Sequence, residues 1–98
     1  MSLRGEPVER RASLPDGRDA LVRVGVPDDS YIPKRELDTV DVEIVLDGRV
    51  AAAVNTILEP EQDHEARMLA RRIVAGLESG ELQPTAASIE PLADRLPS

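Results

Sequence analysis

The stretch "TVDVEIVLDGRVAAAVNTIL", residues 39–58, decides the fold of this chain. Val40, Val42, Ile44 and Leu46 alternate with Thr39, Asp41, Glu43 and Val45, the period-two pattern of a strand with one dry and one wet face. Asp47-Gly48 then signals a turn and a second apolar run follows, so residues 38–46 and 49–58 read as a β-hairpin. The second arm is ambiguous, because Val50, Ala52 and Val54 compete with Ala51, Ala53 and Ile57 for the core. Only the turn can choose between them. A two-residue loop at Asp47-Gly48 sets Ile44 opposite Ala51 and leaves Val50 and Val54 on the wet side. A three-residue loop, Leu46-Asp47-Gly48 with Gly48 left-handed in a bulge, sets Ile44 opposite Val50, Val42 opposite Ala52 and Val40 opposite Val54. This register buries the larger side chains and is the expected one.

The same Asp-Gly-Arg occurs earlier, in "SLPDGRDALVRV" at residues 13–24. Pro15-Asp16-Gly17 suits a type I turn followed by a left-handed glycine, since proline supplies the φ that the first turn position wants. Ala20, Val22, Val24 and Val26 alternate beyond it, while Val8 and Ala12 precede it in a weaker edge strand that carries "ERR". The first hairpin is thus about 6–14 and 18–26, with Ala12 facing Ala20 and Val8 facing Val24. The repeated tripeptide marks two chain reversals, with Gly17 and Gly48 as their structural glycines.

Beyond Leu58 the period changes. Ala66, Leu69, Ala70, Ile73, Val74 and Leu77 recur three and four apart, predicting an amphipathic helix at about 60–79. Pro60 suits its first turn, Glu61, Asp63 and Glu65 suit its positive end, and Gly80 suits its stop. A shorter helix is expected at about 88–96, capped by Ser88, with Pro91 in its first turn and Ile89, Leu92, Ala93 and Leu96 on one face. The tract "LARRIVAGLESGELQPTAASIEPLADRLPS" is similar to the first helix and following turn of GntR-type winged-helix repressors. No recognition helix or basic wing follows in this sequence, so the likeness is one of helix-stop punctuation and no residue is carried over.

Together these segments predict an α+β fold: a four-stranded antiparallel sheet of two hairpins with the long helix on its valine-rich face. Residues 1–80 form the expected single ββββα domain, and residues 81–98 a linker and short C-terminal helix or tail. The core is thin, since aromatics are 1% of the 98 residues. Small cores of this kind gain from burial through self-association. The other sheet face, with Leu21, Arg23, Thr39, Asp41, Glu43, Val45, Ala51 and Ala53, is small and mixed enough to be solvated or an interface. Association is expected there, at an edge strand, or through the tail helix.

Composition narrows the function. A formal net charge of -7, with 19 Asp plus Glu against 12 Lys plus Arg, makes a nucleic-acid backbone a poor partner. The absence of cysteine removes disulfides, thiolate metal sites and thiol nucleophiles. "MSLRGEPVERRASL" carries charges where a signal peptide needs an apolar run, and no stretch approaches the ~20 apolar residues of a membrane span, so a cytoplasmic protein without a membrane partner is expected.

Candidate chemistry is sparse. His64, the single histidine, sits among Glu59, Glu61, Asp63 and Glu65, which raises a metal or general-base site, although an acidic first turn is what a helix dipole favours anyway. Arg67, Arg71 and Arg72 form a small positive patch on the same helix, with Asp63 four residues before Arg67 for an intrahelical pair. Tyr31 with Lys34 and Arg35 has the composition of an interface hot spot, and Ile89, Leu92 and Leu96 offer an apolar tail face. No nucleophile stands beside a base in any known motif, and no glycine-rich phosphate loop is present. The expectation is a small acidic, non-enzymatic protein-interaction or accessory module that needs no cofactor, with a protein partner or a second copy as its target. Two alternatives stand beside it: a regulatory domain binding a small ligand between sheet and helix, and a metal-assisted enzyme using His64 with its acidic neighbours.

Overall fold

The computed structural model describes Leu3, residues 6–26 and residues 39–94. Four strands form one antiparallel sheet in the order β1-β2-β3-β4: Val8–Ser13, Asp19–Gly25, Asp41–Leu46 and Arg49–Asn55. Two helices follow, α1 at Asp63–Ser79 and α2 at Ala86–Ala93. The α+β architecture read from periodicity is the one observed.

The first hairpin has the expected register, with Val8 opposite Val24 and Ala12 opposite Ala20. Gly17 N–H donates to the Leu14 carbonyl at 3.0 Å and Leu14 N–H to the Arg18 carbonyl at 2.8 Å, closing a loop of Pro15, Asp16 and Gly17. Gly17 takes φ 91. The Asp16 carboxylate accepts the Arg18 backbone N–H at 3.0 Å and its Nε at 2.7 Å. The backbone hydrogen bond first, then the guanidinium, hold the Asp16 carboxyl below its ordinary value.

The second hairpin corrects the expected three-residue loop. Leu46 pairs with Arg49, so the loop is Asp47-Gly48 alone, and both residues are left-handed at φ 51 and φ 77. Positive φ at both central positions is what a two-residue turn demands when it matches strand twist, and aspartate followed by glycine tolerates it. Val45 pairs with Val50 while Ile44 pairs with Ala52, leaving Ala51 as an extra residue in β4. This bulge restores Ala52 and Val54 to the core side that an unbroken two-residue register would deny them. Val50 is not restored: it is 55% exposed, whereas the expectation buried it opposite Ile44. Val54 is half-buried, packs against the core and lies opposite Val42 rather than Val40.

The helices share one sheet face. Val22, Val24, Val42 and Ile44 beneath them are completely buried, as are Ala66, Ala70, Ile73 and Leu77 of α1. α1 packs over β1 and β2, and Ser13 N–H donates to Glu78 Oε2 at 3.3 Å. α2 packs against β4, placing Ile89 in the same core.

Two helix boundaries differ from expectation. α1 begins at Asp63 because Pro60 is buried in a preceding turn, where its carbonyl accepts Leu3 N–H at 2.8 Å and Glu59 N–H donates to Gln62 Oε1 at 2.8 Å. It ends, as expected, at Gly80 with φ 84. α2 starts earlier than the Ser88 cap implied: Thr85 is the cap, its hydroxyl accepting Ser88 N–H at 3.3 Å, while Ser88 Oγ accepts Gln83 N–H at 2.9 Å. Pro91 therefore sits inside the helix rather than in its first turn, where it costs one backbone donor.

Candidate interaction surface

With both helices on one face, no helix among the described residues covers the second face of the sheet. Its side chains follow from alternation. Counting across the strands, one row is Arg11, Leu21, Val45 and Val50, and the next is Glu9, Arg23, Glu43 and Ala53. Leu21 and Val45 are half-buried by their neighbours. Val50 at 55% and Ile57 at 53% are the large exposed apolar side chains among the described residues, and they bracket β4 at its two ends. Between them Ala51 and Ala53 are also exposed.

Charge on this face is unevenly distributed. Arg23 Nη2 lies 3.0 Å from Glu9 Oε2 in a solvated pair on the β1–β2 side. Asp41 and Glu43 stand together on β3, two residues apart on the same face. Asp41 Oδ1 is buried with no hydrogen-bond partner, and burial first, then the Glu43 carboxylate, push its carboxyl above its ordinary value.

The two edges differ as well. β1 presents Glu9, Arg10 and Arg11, all exposed, which disfavours addition of another strand. β4 carries no charge from Val50 to Asn55, and its protection is the bulge at Ala51.

Other candidates fall elsewhere. Tyr31, Lys34, Arg35 and Leu96 lie outside the described residues. Ile89 is enclosed by the core of its own chain, and Leu92 is half-buried against it. His64 is exposed on α1 in a shallow cleft of about 210 Å³ with Arg67, Met68 and Arg71. Among the described residues no three His, Asp or Glu side chains gather in a geometry that could hold a metal ion. Arg67 Nη2 meets Asp63 Oδ2 at 3.4 Å, the expected intrahelical pair. Between sheet and helix, where the alternative reading placed a small ligand, valines, isoleucines and leucines fill the space. Clefts open at the margins instead, one of about 310 Å³ between the first turn and residues 80–84, and one of about 430 Å³ beside Gly76, Leu82 and Leu92.

Residues Leu21, Arg23, Asp41, Glu43, Val45, Ala51 and Ala53 were legible from alternation as a mixed face. Val50 and Ile57 were not: Val50 is exposed because the turn is the two-residue Asp47-Gly48 rather than the expected three-residue loop, and Ile57 lies beyond the end of β4, where alternation no longer applies. Among the described residues no helix is long and apolar enough to cross a membrane. The chain matches no family model, no curated protein and no solved structure.

Proposed function

We propose that this protein is a non-enzymatic protein-interaction module that associates with itself. The observation that supports this reading is the sheet face that no helix among the described residues covers, where Leu21, Val45 and Val50 line up in one row across three strands with Val50 largely exposed. Such a face keeps apolar area in water that a second protein surface would remove, at roughly 25 cal/mol per Å². The thin, aromatic-poor core supplies a further reason, since added burial stabilises a small domain.

Sedimentation equilibrium tests the reading. Between about 10 μM and about 1 mM, the range in which a modest interface associates, the measured mass should rise above the monomer value. A mass that stays at 10.7 kDa across that range overturns self-association.

A further inference from the structure

The charge pattern of the open face selects how a second copy sits on it. We infer that two chains pack face to face about a two-fold axis that runs along the strands between β2 and β3; this rests on the self-association just proposed. A closed pair of identical chains must be isologous, so the axis lies in the plane of contact. Two orientations on the central row are then available. An axis across the strands sets Arg23 against the Arg23 of the other copy and Glu43 against its Glu43, a like-charge arrangement that costs affinity. An axis along the strands lays β2 over β3 of the other copy and keeps every row at its own height. Arg23 then meets Glu43, Leu21 meets Val45, and the exposed Val50 covers the aliphatic stem of Arg11.

Of these two orientations only this one is self-complementary, because the cations Arg11 and Arg23 lie on β1 and β2 while Asp41 and Glu43 lie on β3; Glu9 of β1, paired with Arg23 in its own chain, lies over Ala53 of the other copy. Aligned packing of two sheets about 10 Å apart is the ordinary geometry of a sandwich. Four strands roughly 4.8 Å apart and about 20 Å long give a footprint of roughly 400 Å², half the usual 800 Å² per partner. The pair is therefore weak, in roughly the upper micromolar range.

Charge exchange distinguishes this geometry from any other. Arg23→Glu and Glu43→Arg should each weaken association at least about tenfold, since each sets like charges together twice in a dimer. Mixed in equal amounts, the two variants should form a heterodimer within about threefold of the wild-type affinity, because both contacts are again opposite in sign. A neighbouring charge within one chain cannot produce that rescue. A second measurement keeps the wild-type central charges. The chain has no cysteine, so Arg11→Cys and Val50→Cys chains can be mixed with a bismaleimide about 10 Å long, the inter-sheet spacing. Cross-linking should occur in the mixture and far less in either variant alone, where β1 and β4 put identical positions three strand spacings, about 14 Å, further apart laterally. Cross-linking of Arg11→Cys alone, of Val50→Cys alone at equal yield, or absence of heterodimer rescue between folded variants overturns the geometry while a concentration-dependent mass leaves self-association standing. A monomeric wild type overturns both.

Discussion

The two hairpins carry the same Asp-Gly-Arg and turn differently. In the first, Pro15 precedes the tripeptide, fixes its own φ near −65°, and makes Asp16 the third residue of a turn in which Gly17 alone is left-handed. In the second, Leu46 stays in the strand, so Asp47 and Gly48 both go left-handed and the loop shortens by one residue. The shorter loop reverses which side chains face the core, and the extra residue Ala51 reverses them back one step later. The residue before a turn dipeptide thus decides the loop length, and the strand absorbs the consequence. Val50, caught between turn and bulge, is the side chain left outside.

The largest test of this difference compares Ile44 with Val50. Ile44→Ala should lose about 2–5 kcal/mol in urea denaturation, as a fully buried side chain, whereas Val50→Thr should change stability by no more than about 0.5 kcal/mol. A core-sized loss at Val50 would restore the three-residue loop and remove the bulge. Next come the glycines. Gly17→Ala and Gly48→Ala each force a Cβ into the left-handed region and should cost about 1–2 kcal/mol by thermal melting, although both positions have open space around them. Gly48→Asn should cost less than Gly48→Ala, because asparagine tolerates this conformation; equal losses would argue against positive φ there.

The smallest effect separates the aspartates of the two hairpins by sign. Asp41 has a raised folded value, so its favourable contribution is complete below its ordinary value of 3.8 and lost as pH rises through the raised one. Asp41→Asn should therefore stabilise the fold at neutral pH by roughly a few tenths of a kcal/mol after solvent screening, and make no difference near pH 3. Asp16 has a lowered value, so its contribution is present above 3.8 and lost as pH falls through the lowered one. Asp16→Asn should accordingly melt slightly below wild type at neutral pH and match it in strong acid. Melting curves of the two variants against pH that run in the same direction would contradict these environments.

Most of the architecture was legible because alternation and helical spacing are written over whole segments. Val22, Val24, Val42 and Ile44 are period-two positions, Leu69, Ile73 and Leu77 lie on one helical stripe, and all seven are in the core. What escaped was decided by single residues. The bulge at Ala51 has no side-chain signature, since any of the three alanines could be the extra one. Thr85 and Ser88 are both good caps three residues apart, and which one caps depends on Ser88 being engaged by Gln83 N–H. Pro60 fits a helix first turn by its φ, yet the chain uses it as a buried wall against Leu3. The tail face was half legible: Ile89 was read as apolar and functional, and its burial in the core uses that apolar surface within the chain.

The strand order β1-β2-β3-β4 has a kinetic consequence. Among the described residues no strand is inserted between sequence neighbours, so each pairing can zip up beside the last. The long-range step is the return of α1 to β1, where the Ser13–Glu78 contact spans 65 positions. Closing that span rather than a four-residue turn costs roughly 2.5 kcal/mol more chain entropy. Refolding of this small protein should therefore run at the pace at which α1 settles on β1, with the hairpins forming in advance of it.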